Sequence, residues 1–170
     1  GLIEDDGRPD DIVIAELSID SGTAPTAAAL ADSLDGTDLV IADNICSLPL
    51  NPDAARAVAG ALTNTRSHIL FRHHDLPWQR RKLDHLSNEF PPRLDGAMHA
   101  TVNLRSRREL EARGYAGAVA VHNRFDLEAP LGDRDSTRTA LGFEADELIV
   151  FQPARAIERK NVPGGIRFAS

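Results

Sequence analysis

The sequence contains a single cysteine, Cys46, so no disulfide can form within the chain. A lone thiol with apolar neighbours fits a reducing cytoplasm, and we expect it to serve packing rather than reactivity. No apolar run approaches the roughly 20 residues of a membrane span, and the acidic start "GLIEDDGRPDD" is unlike a signal peptide. These absences predict a cytoplasmic protein with neither a transmembrane segment nor a disulfide framework.

A surplus of basic residues is also missing. The formal net charge is −7, whereas a nucleic-acid-binding module carries an excess of Lys and Arg to neutralise phosphates, so no nucleic-acid partner is expected. Basic residues nevertheless cluster in the middle of the chain, around 80–82 and 105–108. Solvated helix faces account for such clusters, and a groove that attracts an anionic ligand is the alternative.

Glycine-rich phosphate-binding motifs are absent as well. The chain has neither a G-x-G-x-x-G fingerprint nor a Walker loop, which argues against a classical dinucleotide or nucleoside-triphosphate site.

The sequence does contain short apolar runs that alternate with helix-like segments. Strands are predicted at 11–17, 38–43, 67–72, 97–103, 116–122 and 147–153. Several of these runs are nearly continuous, which is typical of strands buried on both faces of a parallel sheet. The alternation predicts an α/β protein with a Rossmann-like, doubly wound, mostly parallel sheet.

Helices are predicted between the strands from their caps and apolar stripes. Asn51 is a natural N-cap before Pro52 at the first helical position. Segment 77–90 carries apolar residues on one stripe, and Ser106 with Glu109 forms a capping box for the helix that stops at Gly114.

Two domains are expected. Segment 123–136 has the proline, glycine and acidic residues of a linker, and a new helix–strand–helix start follows it. We therefore expect a Rossmann-like domain over 1–130, without its first strand and glycine-rich loop, and the beginning of a second domain over 131–170. This pattern indicates a chain that begins and ends within a longer protein.

The stretch "FRHHDLPWQR" places His73, His74 and Asp75 where the strand 67–72 ends. Such residues could bind a metal, carry acid–base chemistry, contact a substrate or simply end the strand. A metal is disfavoured, because adjacent residues at a strand end point to opposite faces and no other motif supplies further ligands. Ligands of doubly wound folds bind at the carboxyl ends of strands, so a substrate or catalytic role is favoured for His74. Asp75 has the alternative role of N-cap for a helix that opens at Pro77.

Two further loops hold candidate ligand contacts. Asn44 follows the strand that ends at Asp43, where an ordinary turn residue is the alternative to a substrate contact. Arg155 and Lys160 lie between the predicted strand 147–153 and the next helix, where backbone N–H groups and added cations suit a diphosphate. Exposed surface charges are the alternative interpretation of this pair.

Four stretches, taken together and in order, resemble GT-B glycosyltransferases of the family 4 type (glycosyl transferases group 1). They are "ILFRHHDLPW", "ATVNLRSRRELEARGY", "AVAVHNRFDLEAP" and "ELIVFQPARAIERKNVPGGIRFA". The resemblance covers roughly residues 38 to 170, and the first stretch together with "NICSLPLNP" looks like a bacterial subgroup. Departures from the family pattern occur at Arg124 and Phe125, and at Leu104, which leaves Ser106 as the expected helix cap.

The resemblance implies a retaining enzyme that moves a sugar from a nucleotide-diphosphate donor to a carbohydrate or small-molecule acceptor. It implies that the first domain presents the acceptor and the second holds the donor, with no metal or other cofactor. His74 falls where the family has an active-site histidine, and Arg155 and Lys160 fall where it binds the donor diphosphate. Asn44, His73 and Asp75 are the expected contacts to acceptor or sugar.

Since most of the donor site is missing, the 170 residues alone are expected to be inactive. The alternative function is a stand-alone, non-catalytic α/β domain that binds a small anion or a protein partner.

Overall fold

The computed structural model of the protein describes residues 12–128 and 132–169. The chain divides into two compact units, with the boundary between Arg124 and Phe125. The domain boundary expected between residues 130 and 131 lies outside the described residues.

A four-stranded parallel sheet organises the first unit. Its strands are β1 (Leu39–Asp43), β2 (His68–His73), β3 (Met98–Thr101) and β4 (Val119–Ala120). They lie side by side in the order β1-β2-β3-β4, and every neighbouring pair is parallel. The predicted α/β class and its Rossmann-like parallel sheet are thus confirmed.

Helices precede, connect and follow these strands. In the first unit they are α1 (Ala27–Ser33), α2 (Pro52–Thr63) and α3 (Leu104–Ala112), with 3-10 turns at Ala15–Leu17, Pro77–Gln79 and Asp84–Leu86. The second unit has α4 (Arg134–Leu141) and α5 (Val162–Ala169), with a 3-10 turn at Glu158–Lys160. None of the helices within the described residues is long and apolar enough to cross a membrane.

Local side-chain caps set where the main helices begin. Asn51 accepts a hydrogen bond from the Ala54 backbone N–H at 3.1 Å, and Pro52 opens α2, as predicted. The N-cap of α3 is Asn103, which accepts from the Ser106 N–H at 2.8 Å. The prediction that Ser106 caps this helix is wrong, because the helix begins three residues earlier than that cap would allow and buries Ser106 in its first turn.

The core lies on one face of the sheet. Ile69 and Phe71 of β2 point toward α2, where they meet Ala55 and Leu62, and Cys46 is buried beside them. Burial raises the pKa of the Cys46 thiol to about 12, which fits the packing role expected for it.

The other face of the sheet is exposed. Parallel strands in sequential order receive all their right-handed connections on one side, so the outward positions of the strands stay open. Large exposed apolar residues on this open face include Leu39, Ile41, Met98 and Val119. The expectation that the strands are buried on both faces is therefore wrong for the described residues.

Several predicted elements take another form. Segment 77–90 forms two 3-10 turns rather than one helix. In the first turn, Gln79 accepts from the Leu76 N–H and donates to Glu109. Segment 12–17 holds a 3-10 turn instead of a strand, and residue 11 lies outside the described part. Segment 147–153 is not a strand, and Leu148 is 91% exposed, because no neighbouring strand is available to pair with it within the described residues.

Candidate functional site

A group of polar side chains gathers where β1, β2 and β4 run out. It consists of Asp43, the last residue of β1, with Arg72 and His74 at the end of β2 and Asn123 after β4. We call these four residues the carboxyl-edge cluster. Because the carboxyl ends of parallel strands share one edge, residues far apart in sequence meet there, and this is where α/β folds bind ligands.

Asp43 contacts two side chains, one with each carboxylate oxygen. His74 Nε2 lies 2.9 Å from Asp43 Oδ1, and Arg72 donates from NH1 to Asp43 Oδ2 at 3.1 Å. Arg72 also donates from NH2 to Asn123 Oδ1 at 2.7 Å. The contact with Asp43 holds the imidazole of His74 in place. Since the His74 side chain is 38% exposed, the ring can still contact a ligand from solvent.

Asn44 fixes the backbone on which His74 stands. Its Oδ1 atom accepts hydrogen bonds from the backbone N–H of His74 at 3.0 Å and of Asp75 at 3.3 Å, while its own N–H donates to the Arg72 carbonyl at 2.8 Å. Its φ of 62° is left-handed, a conformation that asparagine tolerates better than most residues. The half-buried Asn44 therefore joins the two loops and is more than an ordinary turn residue.

Asp75 does not cap a helix. The 3-10 turn at Pro77–Gln79 has Leu76 at its N-cap position, and the Leu76 N–H is taken by the Gln79 side chain. Asp75 instead pairs with Arg80 at 2.7 Å, an exposed ion pair. The capping role predicted for Asp75 is wrong, because the turn opens at Pro77 as expected and Leu76, the residue directly before it, takes the N-cap position.

His73 lies on the opposite face of β2 from His74 and is completely buried. Its Nδ1 atom lies 2.5 Å from Ser47 Oγ, and its Nε2 atom lies 3.0 Å from His99 Nδ1. Both ring nitrogens are thus engaged in the interior. A sugar cannot reach this ring in the described structure, so the sequence expectation of a sugar contact does not suit His73.

Burial keeps the two interior histidines neutral. It lowers the pKa of His73 to about 3, with a smaller contribution from His99, and lowers the pKa of His99 to about 4, with a smaller contribution from Arg93. The His99 ring also stacks on Phe71 and meets Tyr115 edge-on. These rings tie β2 and β3 together beneath the carboxyl-edge cluster.

Arg155 and Lys160 belong to the second unit. Both are exposed; Lys160 is the last residue of the 3-10 turn that precedes α5, and Arg155 lies three residues before that turn begins. Gln152 donates from Nε2 to the Lys160 carbonyl at 2.9 Å, which closes this loop on itself. The loop follows an irregular segment rather than the strand predicted at 147–153, and the Arg155 and Lys160 side chains face solvent.

Sequence reasoning did not single out Asp43, Arg72 or Asn123 as site residues. Each lies at or just past the end of an apolar run, as His74 does. Their shared position at the ends of predicted strands was the available signal. The sequence alone does not give the order and register of the strands, which bring these residues together.

The cluster offers a half-exposed imidazole beside a carboxylate and a guanidinium, which suits hydrogen bonding to hydroxyl groups. Two surface cavities lie at the other end of the sheet, around Asp38 and His68, away from these residues. Within residues 12–128 and 132–169, no three His, Cys, Asp or Glu side chains come together as metal ligands would.

The chain is similar to two curated proteins. It is 28% identical over 144 residues to mannosylglucosylglycerate synthase of Thermotoga maritima, which covers 78% of the chain and 33% of that protein. It is 25% identical over 138 residues to mannosylglucosylglycerate synthase of Petrotoga mobilis, covering 74% of the chain and 32% of that protein. The chain thus spans about a third of the length of these relatives.

No protein-family model and no solved structure matches the chain.

Proposed function

We propose that this chain is part of a retaining GT-B glycosyltransferase of the family 4 type, which moves a hexosyl group from a nucleotide-diphosphate donor to an acceptor hydroxyl. The observation that carries the proposal is the similarity to two synthases whose named product joins mannosyl and glucosyl groups to glycerate. Building such a product requires sugar transfer. The parallel α/β sheet and the order of the sequence motifs support the same reading.

His74 is the residue that we assign to the transferred sugar. It is the half-exposed imidazole of the carboxyl-edge cluster, it stands at the ligand-binding edge of the sheet, and its backbone is fixed by Asn44. A neutral imidazole can hydrogen-bond a sugar hydroxyl, and an imidazolium can offset charge that develops during transfer. Asn44 acts through the backbone of His74, and Asp75 with Arg80 borders the same loop.

Arg155 and Lys160 are assigned to the donor diphosphate. In the transfer, the bond from the anomeric carbon to the donor phosphate oxygen breaks, and its electron pair leaves with the nucleoside diphosphate. The acceptor hydroxyl oxygen forms the new bond to the same carbon, and its proton passes to the leaving phosphate oxygen. Two exposed cations near a helix N-terminus suit the charge that builds on that phosphate. No metal is required in this scheme.

The substrates to test first follow from the relatives. A mannosyl nucleotide is the first donor to offer, and a glucosylglycerate is the first acceptor. The first unit would hold the acceptor and the second would begin the donor-binding domain.

The proposal is tested with the complete native polypeptide, purified and incubated with a panel of nucleoside-diphosphate sugars and the acceptor. Transfer is followed by release of nucleoside diphosphate and by mass spectrometry of the product. We expect transfer from at least one donor, and none from the 170 residues alone. Arg155→Ala should raise the KM for the donor about tenfold or more, since it removes a charged contact to phosphate. Arg134→Ala in α4, which pairs with its neighbour Asp135, is the matched control. The absence of transfer from every donor would contradict the proposal.

A further inference from the structure

We infer that Asp43 is a positioning residue that holds His74 in the tautomer with the proton on Nε2, so that Nδ1 is the ring atom presented to the ligand. The assignment of the ligand as a sugar rests on the proposed function. The assignment of the tautomer rests on the geometry alone.

Two groups compete for His74 Nε2. Asp43 Oδ1, an acceptor, lies 2.9 Å from it, and Arg72 NH1, a donor, also lies 2.9 Å from it. A neutral imidazole nitrogen either carries a proton or offers a lone pair, so it can satisfy only one of these two neighbours. The tautomer of His74 therefore depends on which neighbour prevails.

Asp43 determines the tautomer, because an unprotonated Nε2 would place two hydrogen-bond acceptors against each other. If Nε2 were unprotonated, its lone pair would face the Asp43 carboxylate at hydrogen-bond distance. If Nε2 is protonated, Asp43 receives one donor on each oxygen, His74 on Oδ1 and Arg72 on Oδ2. Hydrogen bonds to an ionised carboxylate are the stronger kind, and both Nε2–H and the guanidinium can direct their hydrogens to it.

Arg72 is itself held in place, and its ion pair with Asp43 keeps the carboxylate beside His74. Its NH2 group donates to Asn123 Oδ1 at 2.7 Å, on the far side from Asp43. The arrangement links the ends of three strands through one carboxylate and one guanidinium.

The other ring nitrogen of His74 is left open. Among residues 12–128 and 132–169, no group hydrogen-bonds to His74 Nδ1, while the side chain is 38% exposed. With the proton on Nε2, Nδ1 accepts a hydrogen bond from a ligand hydroxyl. When the ring is protonated, Nδ1–H becomes a donor at the same place.

The tautomer is measured by two-bond 1H–15N correlation spectra of the 15N-labelled 170-residue chain at alkaline pH, where an ordinary imidazole is neutral. The His74 signals are identified by their loss in His74→Ala. We expect protonated Nε2 and unprotonated Nδ1 in the wild-type chain. A His74 ring protonated on Nδ1 overturns the inference.

Removal of the carboxylate should invert the tautomer. In Asp43→Ala, Arg72 NH1 becomes the only one of the two neighbours left, so Nε2 should accept from it and the proton should move to Nδ1. The Asp43 side chain is half-exposed, so the fold should persist, and Asp43→Asn provides a second variant of the same shape. Asp38→Ala, at the amino end of the same strand region, is the matched control and should leave the His74 signals unchanged. An unchanged tautomer in Asp43→Ala overturns the inference.

The kinetic arm uses the complete native polypeptide. Asp43→Ala should lower kcat about tenfold or more, with the donor KM changed by no more than about twofold, since the carboxylate orients His74 toward the transferred sugar and does not itself contact the donor. Unchanged kcat in an enzyme that transfers sugar overturns the positioning role. If the wild-type polypeptide transfers no sugar, the proposed function fails, whereas the tautomer measurement still decides the role of Asp43.

Discussion

His73 Nε2 lies 3.0 Å from His99 Nδ1, and the two rings stack with centroids 5.2 Å apart in the interior of the first unit. One hydrogen between two nitrogens is all that this contact can hold. A second hydrogen at this contact would set two N–H groups against each other, and burial disfavours the charged form of either ring, so the folded state resists protonation.

The pair should make the stability of the first unit depend on pH. The pKa of His73 is about 3 and that of His99 about 4 in the folded state, below the ordinary value of 6.5. Below pH 6.5 and above these folded-state pKa values, the unfolded chain binds protons that the folded chain does not. Stability is therefore fully present above pH 6.5 and falls as the pH drops toward 4, by about tenfold in the folding equilibrium for each histidine per pH unit.

Urea unfolding followed by the fluorescence of Trp78, the single tryptophan, measures this dependence in the first unit. His99→Phe, which removes one titrating ring, should roughly halve the slope of the unfolding free energy against pH between pH 6.5 and 5. His68→Ala, at an exposed position, should leave it unchanged. Equal stability at pH 6.5 and 5 in the wild-type chain would contradict this account.

The two faces of the sheet should respond differently to truncation. Phe71 is fully buried against α2, so Phe71→Ala should cost about 3–5 kcal/mol of unfolding free energy. Ile41, on the neighbouring strand but on the open face, is 53% exposed, and Ile41→Thr should cost about 1 kcal/mol or less. Chemical denaturation of both variants checks the difference. A cost at Ile41 equal to that at Phe71 would mean that the open face is covered.

The left-handed backbone of Asn44 should make alanine worse than glycine at this position. Both changes remove the acceptor for the His74 and Asp75 N–H groups, but only alanine also has to adopt a φ of 62°. Asn44→Ala should therefore be less stable than Asn44→Gly by about 1 kcal/mol. Thermal unfolding of the two proteins under one condition compares them, and a more stable alanine variant would refute the argument.

The sequence allowed the sheet to be predicted where apolar runs were continuous. Segments 38–43 and 67–72 became β1 and β2 almost residue for residue, and Asn51 with Pro52 opened α2 as expected. Local chemistry decides these features: runs of Val, Ile and Phe favour strands, and a helix start needs a side-chain acceptor.

The errors occurred where tertiary contacts or missing partners decide the structure. The stripe at Leu83, Leu86 and Phe90 suggested a helix, but Leu86 and Phe90 meet the core from short turns. The apolar run 147–153 suggested a strand, but a strand requires a neighbour that the described part of the second unit lacks.

The candidate site was predicted in part. The position of His74 at a strand end was visible in the sequence, and the structure places it half-exposed at the carboxyl edge. Its partners were not visible, because Asp43 is 31 positions away and Asn123 reaches Arg72 across 51 positions. Such pairings follow from strand register, which only the folded sheet defines.

The central claim is that His74 takes part in sugar transfer, and one measurement tests it most directly. The measurement is the rate of nucleoside-diphosphate release and product formation by the complete native polypeptide, in the wild type and in His74→Ala. His68→Ala, an exposed histidine at the amino end of the same strand, is the control. We predict that His74→Ala slows transfer by about a hundredfold or more with an unchanged unfolding midpoint, while His68→Ala retains the wild-type rate. A folded His74→Ala enzyme that transfers sugar at the wild-type rate would contradict the account.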